Sequence, residues 1–320
     1  MRRVVVGGAL TVLAVAAGFG IFGMHSAKPR AALSARPQAA SVATTAPSQA
    51  IDPRTAHASP SRPMAIAPAA DPNARYVGAT DLYPLAQELR ERAERGDVDV
   101  VAALAELQDE CLAYVMSHGD RGFVPREFEK RDPSSKSWTE AMLERSRVRC
   151  QRFNRGDFLS HQRMNNLLIG AANRGSATAR ARLLMSDPQI EQLPDDVLAS
   201  EVRGVMASAD PGAIADLSNV MGTRVAGRND RQALFGAPAG TDTEEVAYLI
   251  AACRLGLECG ADSHVLASLC FNGIGCGYSS VEAIARDRLL TPYQYREMQR
   301  ELPLILARIQ SARADAASGP

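Results

Sequence analysis

Residues 81–116 of the sequence, DLYPLAQELRERAERGDVDVVAALAELQDECLAYVM, contain two amphipathic helical patterns with a short break between them. Leu82 and Leu85 begin a series of apolar residues at the three- and four-residue spacing that places side chains on one face of a helix. Gly96 and Asp97 interrupt the series, because glycine commonly ends a helix and aspartate commonly caps the next one. The stretch therefore predicts an antiparallel helix pair joined by a tight turn.

The same type of pattern recurs along the rest of the chain, and no window alternates in the manner of a β-strand. Hydrophobic residues make up 46% of the chain and aromatic residues only 5%, a balance typical of helices that pack through small side chains. The sequence thus predicts an all-α domain over residues 78–315, an irregular, solenoid-like series of helical hairpins. Further helices are expected at 137–150, 157–174, 176–185, 243–255, 263–271, 280–288 and 291–312, with starts near Asp187, Asp195 and Asp210 and a long loop at 222–240.

Some of these helices have recognisable first residues. Ser137 and Glu140 have the spacing of a capping box, in which each side chain bonds the backbone of the other. Asp157 is expected to cap the helix that follows it. Asp210 precedes Pro211, and proline suits the first helical position because its missing amide hydrogen has no partner there.

The first 27 residues are expected to form a signal anchor. Arg2 and Arg3 precede residues 4–24, which carry no charge and span about 31 Å as a helix, enough to cross a bilayer. A cleaved signal peptide usually has a shorter apolar core of about 7 to 15 residues followed by small residues. His25 occupies one of those positions, so the sequence favours an uncleaved transmembrane helix, and a cleaved signal is the alternative.

Residues 28–77 are dominated by alanine, proline, serine and threonine. Such a segment cannot bury enough apolar surface to offset the entropy lost on ordering, so it is expected to be a disordered linker. The domain organisation is therefore an anchor, a linker and a helical domain.

Cysteine usage indicates the compartment of the helical domain. The chain has six cysteines, none of them in the anchor: Cys111, Cys150, Cys253, Cys259, Cys270 and Cys276. An even number at regular spacings is typical of disulfides, which persist in oxidising compartments and are rare in the cytosol. We therefore expect a protein anchored in the inner membrane with its folded domain in the periplasm, or secreted to the periplasm if the signal is cleaved.

The spacing favours one set of disulfide pairs. Cys111 and Cys150 each lie near the end of an expected helix, and a bridge between them is expected. The other four follow a doubled pattern, in which a cysteine in the last turn of a helix precedes a second one six positions later, so pairing within 253–259 and within 270–276 is favoured. Four cysteines allow three connectivities, and a four-cysteine zinc site is a further alternative, although zinc ligands usually have shorter spacings.

Two of the expected turns have similar sequences. AERGDVDV at residues 93–100 and ANRGSATA at residues 172–179 both have a glycine three residues after an alanine and directly before a capping side chain. This pattern resembles the helix-turn-helix signature of Sel1-like and tetratricopeptide-type repeats, over about residues 82–112 and 168–185. The resemblance implies a concave helical scaffold that binds a partner.

Charge and motifs exclude several functions. Lys plus Arg and Asp plus Glu both number 36, whereas a nucleic-acid binder normally has a basic excess. No HExxH or GxSxG motif is present, and a lone helical His161 is typical of a surface residue. The glycines at 273, 275 and 277 are typical of a disulfide-bearing turn and not of a phosphate loop. No catalytic residue, cofactor or metal ligand is predicted.

Two adjacent acid pairs, Asp195 with Asp196 and Glu244 with Glu245, are expected to act as first-turn acids that favour the helix dipole. Neighbouring residues on a helix point about 100° apart and cannot flank one glycosidic bond. The sequence therefore favours a non-enzymatic envelope protein whose helical domain binds another envelope protein or a wall component, with no nucleic acid involved. The alternative is an exported hydrolase that acts on a cell-wall polymer.

Overall fold

The computed structural model describes residues 72–119, 133–271, 274 and 276–318. These residues are mostly helical and contain no β-strand, as the sequence predicts; an isolated bridge joins Gly260 and Ser280. The α-helices are α1 (Pro72–Gly78), α2 (Leu82–Glu94), α3 (Val101–Gly119), α4 (Pro133–Cys150), α5 (His161–Asn173), α6 (Ala177–Ser186), α7 (Asp195–Ser208), α8 (Pro211–Met221), α9 (Arg231–Phe235), α10 (Asp242–Leu255), α11 (His264–Phe271), α12 (Val281–Ile284) and α13 (Pro292–Ser318).

The two similar turns of the sequence adopt the same backbone conformation. Gly96 follows α2 with φ of +93°, and Gly175 follows α5 with φ of +99°, values that side-chain-bearing residues rarely adopt. In each turn the amide of the next residue, Asp97 or Ser176, donates to the carbonyl five residues earlier at 3.0 Å. Both helices therefore end in a hydrogen-bonded glycine turn that reverses the direction of the chain.

Two helices begin elsewhere than expected. Helix α4 is already helical at Pro133, so Ser137 lies inside the helix and does not cap it; proline suits the first turn because no amide hydrogen is needed there. Asp157 does not cap α5 either, because its carboxylate accepts a hydrogen bond from the backbone of Asn154 and closes a 3-10 turn. Ser160 caps α5 instead, accepting a hydrogen bond from the amide of Arg163.

Other boundaries also shift. Helix α1 occupies the last residues of the segment expected to be linker, and its Tyr76 is buried. The short helix α9 and a 3-10 turn, Thr223–Val225, occupy much of the region expected to be a long loop. Helix α13 continues through Pro303 to Ser318. The expected anchor and residues 28–71 of the expected linker lie outside the described residues, and no helix within the described part has both the length and the apolar character needed to cross a bilayer.

The helices pack mainly on neighbours in the chain. Helix α2 packs on α3, α5 on α6, and α6 on α7 and α8, which in turn packs on α10. The long helix α13 packs on α7 and α10 and completes the C-terminal end of the series. This arrangement leaves α3, α6 and α8 as successive neighbours, so side chains from all three meet on one side.

Two apolar clusters form the interior. The first extends from Tyr76 to Ala179, and the second extends from Ala181 to Ala312. None of their leucines is more than 7% exposed, and burying such a side chain contributes about 1.5 to 3 kcal/mol. Helix α6 contributes to both clusters, since Ala179 belongs to the first and Leu184 to the second.

Candidate functional site

The structure places the six cysteines in three pairs and leaves none free. Cys111 of α3 and Cys150 of α4 are bonded, with α-carbons 5.2 Å apart and both side chains fully buried. This bridge closes a loop of 39 residues, for which the chain-entropy model gives about 4 kcal/mol. It joins the middle of α3 to the last residue of α4.

The other four cysteines pair locally, in the connectivity that their spacing favoured. Cys253 bonds Cys259 with α-carbons 5.7 Å apart, and Cys270 bonds Cys276 at 4.7 Å. In the chain-entropy model a loop this small contributes only about 2 kcal/mol. Because the four sulfurs are bonded within their own loops, they do not form a zinc site, and no group of metal-binding side chains occurs elsewhere in the described part of the chain.

A buried ion pair lies directly beside the Cys111–Cys150 bridge. Glu110 precedes Cys111, Arg149 precedes Cys150, and the Arg149 Nε lies 2.9 Å from Glu110 Oε1. The two side chains are only 12% and 7% exposed, respectively. Burial alone would raise the pKa of Glu110, but the hydrogen bonds and charge of Arg149 hold it below its usual range. We call these four residues the α3–α4 clamp.

Arg149 also holds the chain segment that enters the domain. Its guanidinium donates to the carbonyls of Ala79 at 2.6 Å, Tyr76 at 3.1 Å and Val77 at 3.3 Å. The Tyr76 hydroxyl donates to Glu110 Oε2 at 2.8 Å and lies 3.2 Å from the ring nitrogen Nδ1 of His264. Burial, followed by the charges of Glu110 and a second carboxylate, raises the pKa of Tyr76 well above its usual value.

A second group of ionisable side chains continues from the clamp across three helices. Its members are Glu106 and Asp109 of α3, Arg182 of α6, Asp216 of α8 and Asp210, the N-cap of α8. Arg182 Nη2 lies 2.8 Å from Asp109 Oδ2, and the Thr178 hydroxyl donates to Asp210 Oδ1 at 3.1 Å. We call Glu106, Asp109, Asp210, Asp216 and Arg182 the acidic cluster.

The acidic cluster has more negative than positive groups. Burial, and then the neighbouring aspartates, raise the pKa of Glu106 to about 7 and that of Asp216 to about 6, although Arg182 acts in the opposite direction. The negative charges raise the pKa of Arg182 despite its burial. Three carboxyl groups, those of Glu106, Asp109 and Asp216, thus act on the one guanidinium of Arg182, and the buried oxygen Oδ2 of Asp216 has no hydrogen-bond partner. A cation placed here would gain favourable charge interactions and hydrogen bonds.

Depressions of the surface lie beside the clamp. One of about 300 Å³ is lined by residues that include Val77, Val148 and Arg149. Another of about 440 Å³ is lined by residues that include Arg75 and Glu88. No residue of the acidic cluster lines either of these depressions.

The side chains considered from sequence lie apart from this region. His161 is an exposed residue in the first turn of α5. Asp195 lies in the first turn of α7 and pairs with Arg228, and Glu244 lies in the first turn of α10 and accepts a hydrogen bond from the Thr241 hydroxyl. Gly277 has a positive φ of 80°, as a tight turn requires, and positions 273 and 275 lie outside the described residues.

Sequence reasoning missed the clamp and the acidic cluster. One signal for the clamp was present, because Glu110 and Arg149 each precede a cysteine of the expected long-range pair. A bridge between the cysteines brings the preceding residues within reach of one another. The acidic cluster had no such signal, since its members come from three helices.

Comparison of this chain with family models, with curated proteins and with solved structures finds no match in any of the three.

Replacing Arg149 tests the clamp. Arg149→Met should lower the free energy of unfolding by about 3 to 5 kcal/mol, because the Glu110 carboxylate and three carbonyls lose their buried partner. Denaturant titration with the disulfides intact measures the change. The double variant Glu110→Gln/Arg149→Met should lose less than the sum of the two single variants.

The matched control is Arg147→Met on the same helix, whose ion pair with Glu144 is exposed and whose loss should change stability little. Equal effects of the two arginine variants would show that burial of the Arg149 pair does not stabilise the fold.

The raised pKa values of the acidic cluster predict how stability depends on pH. A carboxyl group whose pKa is raised in the folded state binds more protons there than in the unfolded chain, so stability falls as pH rises. The pH range over which stability falls extends from about 4.5 to about 7 for Glu106 and from about 3.8 to about 6 for Asp216. The melting temperature should therefore be higher at about pH 5 than at about pH 7.5.

The double variant Glu106→Gln/Asp216→Asn cannot titrate at these positions and should show a smaller difference between the two pH values. Part of the difference should remain, because burial also raises the pKa of Glu245 and Glu301 to about 7. A pH dependence identical to that of the wild type would contradict the assignment.

Proposed function

We propose that this protein is a helical interaction scaffold of the cell envelope. Its N-terminal segment would hold it in the inner membrane, and its helical domain would bind a basic segment of another envelope protein or wall component. The acidic cluster is the single observation that carries this proposal: three carboxyl groups from α3 and α8 act on the guanidinium of Arg182, and Asp210 adds a fourth negative charge beside Asp216.

The chemistry of the cluster sets the type of partner. The carboxylate of Asp109 is 53% exposed and therefore open to a partner, while Asp216 offers a buried oxygen without a hydrogen bond. A lysine or arginine side chain supplies a donor, which the Asp216 oxygen lacks, and a second positive charge beside that of Arg182. Its binding would also favour the ionised forms of Glu106 and Asp216, whose pKa values are raised in the free protein.

The helical arrangement supports a scaffold. Successive hairpins pack on their neighbours, and the two glycine turns after α2 and α5 have the same hydrogen bonds. Both features are in keeping with the resemblance to Sel1-like and tetratricopeptide-type repeats, which present rows of side chains from successive helices to a partner. In this chain the row would be α3, α6 and α8.

The placement in the envelope rests on two properties of the chain. Residues 4–24 form an uncharged stretch long enough to span a bilayer, and residues 28–71 have the composition of a linker. Three disulfides without a free cysteine favour an oxidising compartment for the helical domain. The proposed location is therefore the periplasm, with the protein anchored in the inner membrane.

One observation favours a second function, an exported hydrolase acting on a cell-wall polymer. Glu106, with a pKa of about 7, would remain partly protonated at neutral pH, as a general acid must. Asp216 on the facing helix would be the second carboxylate. Both functions depend on the same two residues, so one set of variants tests them together.

The scaffold function is tested with the full-length chain. The protein is captured from detergent-solubilised envelope membranes, and the partners that are captured with it are quantified by mass spectrometry. Partners that bind the acidic cluster should fall about tenfold or more with Glu106→Gln/Asp216→Asn, because buried charge interactions are lost. The control Glu191→Gln/Asp196→Asn removes the same charge from exposed positions and should retain them.

Loss of the same partners in both double variants would contradict specific binding at the cluster. Purified chain incubated with isolated wall polymer distinguishes the second function. Release of soluble fragments by the wild type, abolished by Glu106→Gln in a folded variant, would establish the hydrolase and overturn the purely structural scaffold.

Removing residues 1–27 tests the anchor. The truncated chain should stay in the supernatant after a carbonate wash, whereas the full-length chain should remain in the membrane pellet. N-terminal sequencing of the mature protein tests the alternative of a cleaved signal peptide. Cleavage would leave a chain that starts within or just after residues 1–27. Truncated protein in the membrane pellet would show that another part of the chain binds the membrane.

A further inference from the structure

The three disulfides differ in how exposed their cysteine residues are. Cys111 and Cys150 are both fully buried, and so is Cys270, whose partner Cys276 is half-buried. Cys253 and Cys259 are both half-buried. Only this pair offers both of its residues to the surface, and its loop, 256–262, includes exposed residues at positions 256, 258 and 260–262.

We propose that the Cys253–Cys259 bridge is a thiol–disulfide exchange site, open in the folded protein to a dithiol such as the CxxC pair of an exported oxidoreductase, whereas the Cys111–Cys150 bridge is closed to exchange. The proposal follows from access, because exchange requires a thiolate to approach one sulfur in line with the bond that breaks. It does not depend on the scaffold function.

The exchange balances without any further reagent. A thiolate of the dithiol attacks one sulfur of the bridge, forms a mixed disulfide and releases the other cysteine as a thiolate, which takes up a proton. The second thiol of the reductant then attacks the mixed disulfide and frees the first cysteine. Two electrons and two protons pass to Cys253 and Cys259, and the dithiol leaves as a disulfide.

The surroundings of the bridge allow it to open without loss of the core. Cys253 lies in the last turns of α10, which ends in its own glycine turn at Gly256, with φ of +116°. The amide of Leu257 donates to the carbonyl of Ala252 at 3.0 Å, so the end of α10 is closed by backbone bonds besides the disulfide. Opening the bridge therefore frees the loop and leaves α10 in place.

Two contacts would still hold the freed loop. The amide of Val281 donates to the carbonyl of Cys259 at 3.0 Å, and Arg145 of α4 donates to the carbonyl of Asp262 at 2.6 Å. Helix α11, which follows the loop, has eight residues, fewer than the number at which an isolated helix becomes stable. Reduction should therefore increase the mobility of 256–263 and loosen the start of α11 beside Tyr76.

The Cys111–Cys150 bridge lies in a different environment. The Glu110–Arg149 ion pair precedes it on both helices, and both cysteines belong to the same buried apolar cluster as Tyr76, which is 2% exposed and bonds Glu110. A dithiol reaches these sulfurs only after α3 and α4 separate, which requires the buried ion pair to break. This bridge should thus be reduced only as the domain unfolds.

The experiment titrates the oxidised full-length chain with dithiothreitol, quenches with acid, alkylates the free thiols and maps them by peptide mass spectrometry. Cys253 and Cys259 should become alkylated at a dithiol concentration roughly tenfold or more below that needed for Cys111 and Cys150. The far-UV circular dichroism should stay unchanged over that range. Joint opening of all three bridges, or opening of Cys253–Cys259 only with loss of helicity, would overturn the proposal.

A trapping measurement identifies the site directly. A CxxC protein whose second cysteine is replaced by serine should form a mixed disulfide at Cys253 or Cys259, and the variant Cys253→Ser/Cys259→Ser should form none. Trapping at Cys111 or Cys150 in the folded wild type would contradict the assignment. If the double variant does not fold, the wild-type titration alone decides between the outcomes.

Discussion

The α3–α4 clamp is the constraint on which the N-terminal half of the domain depends. A covalent bond between Cys111 and Cys150 fixes the end of α4 against the middle of α3, and this holds the adjacent residues Glu110 and Arg149 close enough to form an ion pair. Removing one partner of a buried ion pair destabilises the folded state, because the remaining charge is left without a counter-ion and without contact with water. The Arg149 guanidinium also donates hydrogen bonds to the backbone carbonyls of Tyr76, Val77 and Ala79. One arginine thus fixes the chain at the start of the domain.

Features that depend on local sequence could be predicted. The turns at Gly96 and Gly175, the cap at Asp210 and the short-range cysteine pairs all involve residues within a few positions of one another. The apolar spacing gave the fold class because burial of one helix face is also a local pattern. Ser137 shows where this reasoning fails, since a capping sequence has no effect when the helix already begins earlier.

The acidic cluster could not be predicted because it depends on how helices are rotated against each other. Glu106, Arg182 and Asp216 are separated by more than thirty residues from one another, and each has the sequence context of an ordinary surface charge. Only packing of α3, α6 and α8 side by side brings their charges together and removes water from them. The pKa values near neutrality are a consequence of that packing.

The position of α6 has a consequence for how the domain unfolds. Ala179 faces the first apolar cluster and Leu184 the second, so this ten-residue helix is part of two interiors at once. Neither half can detach without exposing apolar surface that the other half covers through α6. The two clusters are thereby coupled, and we expect the chain from α1 to α13 to unfold as one cooperative unit although its helices pack mainly on their neighbours in the chain.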